Sequence, residues 1–230
     1  VIPLARRVVE FVHVVDGAFE GGAGQMYVTR HSHLTDIVFL DRLWHLYEVA
    51  YRGMAEEAVT REVLYRSEFD EALADPTSRL WVVWDDNVAV GMCLVATDIA
   101  NTRYLSRAFF ERHYPDHVRR NAVHYIMWLV VHPAFEARGA LLRLAKDGIA
   151  LEAADGALLV FDTPQVNERG QGGGLAELMS RLSKAVMGGA AVHLLETQRY
   201  YAVDFASARP SDGDLPQRRG EDTPTLRHAT

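Results

Sequence analysis

The run Ala122-Val-His-Tyr-Ile-Met-Trp-Leu-Val-Val131 is apolar along almost its whole length and stops at Pro133. A strand with one face in water alternates apolar and polar residues, because successive side chains point to opposite faces. A run apolar on both faces needs cover on both, so it predicts a central strand with layers above and below. The next segment of the chain supplies one such layer. Leu141, Leu142, Leu144, Ala145 and Ile149 recur at helical spacing between about Gly139 and Ala154, and a second apolar strand, Ala157–Phe161, comes next. Strands alternate with helices only in this second half of the chain, which argues for a mixed sheet covered on both faces.

The flanking sequence completes the layers. Apolar residues at helical spacing predict a helix over Asp36–Met54, with Thr35 as N-cap, and a second over Thr60–Asp75, stopped by Pro76. Two strands, Leu80–Trp84 and Val88–Ala96, flank Asp85-Asp86-Asn87, a turn-prone triplet that predicts a hairpin. A helix over Leu175–Val186 and a last strand from Ala191 to about Phe205 end the pattern. The expected fold class is therefore α/β, a mixed central sheet with helices on both faces, built as one domain. The 230 residues are 49% hydrophobic, enough for a core of that size.

Other features narrow the classes. No segment approaches the run of about 18 apolar residues that a membrane span needs. The net charge of −7 argues against coating nucleic acid by bulk electrostatics. Cys93 is the only cysteine and lies in the apolar run Val90–Val95, which excludes an internal disulfide and predicts a core residue. Residues 1–24 read as an N-terminal extension, with a β-like run at Val8–Val15 and a glycine-rich loop at Gly17–Gly24 before a strand over Gln25–Arg30. The start Val1-Ile-Pro lacks both an initiator methionine and the order of a signal peptide, which suggests trimming or a longer chain and makes a cytoplasmic protein the default expectation. Residues 207–230, rich in proline and glycine, read as a disordered tail beyond a domain spanning 25–206.

The junction after the central strand carries the chemistry. Val131-His132-Pro133 ends the strand, and Arg138-Gly139 opens directly into the next helix. Free N–H groups and the dipole make such a helix start attractive to anions, and glycine admits a phosphate to the backbone. With the order of elements, this junction resembles the GNAT superfamily of acyl-CoA-dependent N-acyltransferases over about Gln25–Phe205. In that family a Val-x-Pro strand end leads to a loop, Gln/Arg-x-x-Gly-x-Gly/Ala, that cradles the coenzyme A pyrophosphate. Val131-His132-Pro133 matches the first part, and Gly139 stands six residues after the proline, where the first loop glycine belongs. Glu136 occupies the Gln/Arg position and Leu141 the second Gly/Ala position. The acid is expected to repel pyrophosphate and the leucine to hinder close backbone approach, with Arg138 as the substitute charge.

The resemblance implies acetyl-CoA or another acyl-CoA as co-substrate, bound by Leu129, Val130, Val131, Arg138, Gly139, Ala140, Leu141 and Leu142, with no metal. It also implies a small-molecule amine as acceptor and allows a homodimer. Family members often protonate the leaving thiolate with a tyrosine on the helix that here holds only Ser180 and Ser183. The nearest phenols are Tyr200 and Tyr201; on a strand, Glu196 and Tyr200 share one face and Tyr201 takes the other. The bland reading of these is a polar strand edge. His124 is a further candidate base, or simply a hydrogen-bonded histidine, and Asp162 at a strand end is a candidate acceptor contact. By strict alternation His124, Ile126, Trp128, Val130 and His132 share one strand face and Tyr125, Met127, Leu129 and Val131 the other.

Arg103–Arg120 is unusual for the family: five arginines against Glu111 and Asp116, a local charge of +3, with Tyr104, Phe109, Phe110 and Tyr114 interleaved. It reads as a surface helix packing its aromatics inward, as a lid, or as a docking patch for an acidic acyl carrier protein or tRNA. Three rival chemistries are weaker. His31-Ser-His33 and His113-x-x-x-His117, the latter on one helix face, lack the acidic companions of a metal centre. Gly170–Gly174 lacks both nucleotide-loop patterns, and no GxSxG elbow supports a serine hydrolase. The expected function is direct transfer of an acyl group from a thioester to an amine, in biosynthesis, the backbone N–H groups of the central strand holding the oxyanion. The alternatives are a GNAT-fold binding or scaffold protein, or an acyltransferase drawing on an acyl carrier protein or aminoacyl-tRNA.

Overall fold

The computed structural model describes residues 26–52, 63–164 and 174–202, except the side chains of Glu136 and Ala137. Chain contacts divide the protein into a unit Val1–Leu194 and a unit Leu195–Thr230. Within the first, five strands lie in sequence order: β1 (Met26–His31), β2 (Ser78–Asp85), β3 (Val88–Ala96), β4 (Val123–Val131) and β5 (Leu158–Val160). The first three pairings are antiparallel and β4–β5 is parallel, so the sheet is mixed as expected. The β2–β3 hairpin turns at Asp86, whose φ of 54° is a left-handed conformation that aspartate tolerates.

Alternating side chains of β2 show why both faces need cover. Leu80 and Val82 join Met92, Leu94, Trp128 and Val130 against helices α1 (Ile37–Tyr51) and α2 (Arg66–Ala74). Trp81 and Val83 join Val90, Cys93, Val95 and Val131 on the opposite face, against α5 (Ala140–Ala154) and α6 (Leu175–Met187). The first face is aromatic. Phe69 stacks on Trp128 at 5.2 Å and lies 5.3 Å from Tyr47, each ring anchoring its helix to β4.

Several local expectations shift. The N-cap of α1 is Asp36 rather than Thr35, its Oδ1 accepting from Phe39 N–H at 2.9 Å. Helix α2 begins at Arg66 rather than Thr60 over the described residues, because Glu68 reaches back to Tyr65 N–H at 2.9 Å and fixes the start there. The Arg103–Arg120 stretch forms two short helices, α3 (Arg107–His113) and α4 (Pro115–Arg119), broken before Pro115. His113 and His117 therefore do not share one helix face.

The last expected strand does not form over the described residues. Residues 189–202 have no regular secondary structure, since a β-like composition becomes a strand only when a neighbour completes its ladder. The β-like run at Val8–Val15, the loop before Gly174 and the tail from Ser207 lie outside the described residues. No described helix is long and apolar enough to cross a membrane.

Candidate active site

The sheet opens beside β4. Strand β5 pairs with it at three positions, Val123↔Leu158, His124↔Leu159 and Tyr125↔Val160, and then stops. Strand β4 runs on to Val131, so from Ile126 onward no described strand pairs with that edge. Among the described residues no backbone partner meets its donors and acceptors on that side, and buried backbone polar groups require partners, which a ligand can supply. On the other edge, Leu94 pairs with Trp128 but Val95 with Ile126, which leaves Met127 as an extra residue. Such a bulge turns a strand and re-aims its backbone groups.

The bulge also corrects the expected strand faces. Met127, Trp128 and Val130 pack toward α1 and α2, while Ile126, Leu129 and Val131 pack toward α5 and α6. One inserted residue reverses the parity beyond it. No periodicity in Ala122–Val131 announces where the insertion falls.

At the end of β4 the chain enters a 3₁₀ turn, Pro133–Arg138, then Gly139 at φ 83°, then α5. Here glycine answers to conformation rather than to space, because a Cβ at Gly139 would meet nothing within 4 Å. Helix α5 carries no side-chain cap, so the N–H groups of its first turn stand without an intrahelical partner. The junction thus offers an open backbone and uncapped donors, which fits a pyrophosphate.

Two expectations about this loop change. Leu141 is buried in the sheet–helix core, so its side chain does not stand in the way of a ligand on the backbone. Arg138 is already engaged: its Nη1 and Nη2 lie 2.8 and 3.3 Å from the Asp85 carboxylate, and its guanidinium sits 4.9 Å over the Phe135 ring. Ala140 is fully buried and Leu142 half-buried, so their contribution to a ligand is backbone only.

His124 does not face the opening. It is buried, its Nδ1 is paired with Glu152 of α5, and its Nε2 lies 3.3 Å from the Asn121 carbonyl. Both ring nitrogens are occupied, which removes it as a base for an incoming amine. Arg79 then joins Glu152 at 3.1 Å to Asp155 at 2.8 Å. His124, Glu152 and Asp155 place donor atoms within 4.8 Å of one another, but Arg79 occupies both carboxylates where a cation would sit. The group ties β2, β4 and α5 together. Its trace in the sequence is Glu152 itself, an acid on the same helical stripe as Leu141 and Ala145.

The remaining candidates are scattered. Tyr200 and Tyr201 are exposed, as is Glu196, and without a strand the shared face of Glu196 and Tyr200 is lost. Ser183 is buried in α6 and Ser180 half-buried. Cys93 is buried, and burial reinforced by the Glu152 charge pushes its thiol up to about 12, so it is no nucleophile. His31 bonds to Thr29 Oγ1 at 2.7 Å and His33 to the Ala74 carbonyl at 2.6 Å, in separate surroundings. Around α3 and α4, Arg103 pairs with Glu68, Arg107 with Glu111 and Arg119 with Asp116, while Arg120 donates to the Gly156 carbonyl. The two acids of the stretch are thus spent on Arg107 and Arg119, and of the three arginines that make up the local +3 only Arg103 meets a carboxylate, while Arg112 has no such partner among the described residues. Of the four aromatics there, Phe110 is fully buried. Asp162, just past β5, accepts a 2.6 Å hydrogen bond from the Tyr125 hydroxyl.

The fold is thus the α/β mixed sheet with helices on both faces that the resemblance to the GNAT superfamily implies, without the last expected strand among the described residues. No family model matches the chain, and no curated protein matches it. Among solved structures, it is similar to an aminoglycoside acetyltransferase from an uncultured soil metagenomic sample, with 12% identity over 78% of this chain and 97% of that one, TM-score 0.46. A putative acetyltransferase from Pyrococcus horikoshii gives 15% identity over 60% and 81%, TM-score 0.48. A ribosomal-protein-alanine N-acetyltransferase from Brucella melitensis biovar Abortus 2308 gives 11% over 77% and 100%, TM-score 0.44.

Proposed function

We propose that this chain is an N-acyltransferase of the GNAT type, moving an acyl group from an acyl thioester to an amine of a small molecule by direct attack. The observation that carries this reading is the opened edge of β4 from Ile126 to Val131, which leads straight to the uncapped start of α5. A narrow ligand with amides along its arm and phosphates at one end matches that surface. Acetyl-CoA or another acyl-CoA supplies an acyl carbon activated as a thioester. The backbone of Leu129, Val130 and Val131 bonds the pantetheine arm, and the N–H groups from Gly139 to Leu142 receive the pyrophosphate. The Met127 bulge supplies a backbone N–H for the developing oxyanion. In the unit Leu195–Thr230, Glu196, Tyr200 and Tyr201 are of the chemical type that such proton transfers use.

A second reading rests on the Arg138–Asp85 pair, which withholds the one cation of the loop from a phosphate. It makes the chain a GNAT-fold binding protein, or an acyltransferase served by an acyl carrier protein or aminoacyl-tRNA docking at Arg103–Arg120. Calorimetric titration with acetyl-CoA and longer acyl-CoAs separates the two. Saturable micromolar binding, weakened about tenfold by Arg138→Glu through added negative charge at the helix start, is the expected result. Absence of binding by every acyl-CoA, with no thiol released in the presence of amines, overturns the acyl-CoA reading.

A further inference from the structure

We propose that Asp162, held by Tyr125 beside Tyr104, anchors one ammonium of an acceptor that carries at least two basic nitrogens. The inference rests on the acyltransferase reading and names the acceptor class of that same site. Its ground is a juxtaposition at the mouth of the sheet opening. Tyr125↔Val160 is the last rung between β4 and β5, and Asp162 lies just beyond it. The buried Tyr125 donates its hydroxyl to Asp162 Oδ1 at 2.6 Å, fixing a carboxylate that is itself exposed. An amine held there stands where the free edge of β4 begins.

Asp162 differs from the acids that arginines neutralise. Asp85, Glu68, Glu111, Asp116, Glu152 and Asp155 each face an arginine. Asp162 has no cation among the described residues, though its phenol partner orients it firmly. A carboxylate oriented by one hydrogen bond and lacking a counter-charge is suited to an external cation. The neighbouring rings favour the same ligand. Tyr104 lies 5.9 Å from Tyr125 at 34°, is 46% exposed, and already carries the Arg103 guanidinium 5.5 Å from its centroid. Phenol faces beside a carboxylate attract ammonium groups by cation–π contact.

The acceptor class follows from proton chemistry. A nitrogen bound to Asp162 is held protonated and has no lone pair to offer a thioester. The attacking nitrogen is therefore a second one on the same molecule, which makes the ligand a di- or polyamine rather than a simple monoamine.

Spermidine is a suitable probe, with butylamine as the single-nitrogen control. Asp162→Asn keeps the size and still accepts from Tyr125, so it removes charge without removing the contact. In calorimetry of the whole chain, spermidine is expected to bind the wild type and to bind Asp162→Asn about tenfold more weakly, near the worth of one charge-assisted contact. In turnover assays the KM for spermidine rises by the same factor while the KM values for acetyl-CoA and for butylamine stay put. Spermidine affinity unchanged in Asp162→Asn, or no spermidine binding to the wild type at millimolar concentration, overturns the assignment. Should spermidine bind through Asp162 while no acyl-CoA binds at all, the acyltransferase reading falls and the amine site stands.

Discussion

Two stretches of β4 belong to one run of sequence and have opposite circumstances. From Val123 to Tyr125 the strand pairs with β5, meeting β3 as well at Tyr125, and His124 is locked to Glu152 beneath it. From Ile126 to Val131 it keeps β3 on one edge and has no described strand on the other. The closed half sacrifices access for rigidity, through the buried His124 and Glu152 and the more exposed Arg79 and Asp155 joined to them. The open half keeps its backbone available and is backed by the packed faces of Trp128 and Val131. A strand can present unpaired groups to a ligand only if something nearby holds it still, and here that support comes from its own first residues.

The sharpest way to break this contrast is at Glu152. Glu152→Ala strips the buried His124 Nδ1 of its partner and leaves Arg79 with Asp155 alone, and a loss of about 3–5 kcal/mol is expected in urea unfolding. Replacing His124 and Glu152 together by leucines should recover much of that loss. If the single change costs no more than a surface substitution, the closed half is not held by this group.

Cys93 sharpens the contrast by reporting how far water reaches from the open edge, since it pairs with Leu129 across the β3–β4 ladder. Its thiol, raised from 9.0 to about 12 mainly by burial, stays neutral in the folded protein where the unfolded chain ionises. The stability tied to that neutral form is complete below pH 9 and is lost as pH climbs toward 12, at roughly 1.4 kcal/mol per pH unit. Cys93→Ala should flatten this alkaline decline, and iodoacetamide at about pH 8 should label the thiol only after unfolding. Rapid labelling of the native protein would mean that the core under the open half is wet.

The smallest expected effect on stability falls at the far end of the open half. Asp85→Asn releases Arg138, and a partly exposed ion pair contributes about 0–1 kcal/mol, so melting should barely move. Acetyl-CoA binding should instead tighten about threefold to tenfold, because the freed guanidinium can reach the phosphates. No gain in affinity would show that the backbone of α5 supplies the whole phosphate site.

Local patterning made much of this fold legible: the doubly apolar Ala122–Val131, the stop at Pro133, the glycine at 139 and the spacing of Leu141 and Leu144 each act through neighbouring residues. The order of elements along the chain and the helix cover on both faces came with them. Strict alternation nevertheless misplaced Trp128 and Val130 relative to Ile126, and composition promised a last strand past Ala191, because periodicity says nothing of where a bulge falls or whether a partner strand arrives. The site was legible as far as the strand–helix junction. Its polar partners were not, since Arg138 meets Asp85 across 53 residues, Tyr125 meets Asp162 across 37 and His124 meets Glu152 across 28.

By itself, then, the sequence determined most of the segments that become strands and helices and that the sheet must be covered on both faces, since these depend on side-chain periodicity and local chain stiffness. Only the tertiary structure decided that β5 leaves β4 after Tyr125, that Met127 bulges, and that Arg138 and His124 are already engaged. Those outcomes depend on which distant backbone and charge come within hydrogen-bond reach, a quantity of the folded chain alone.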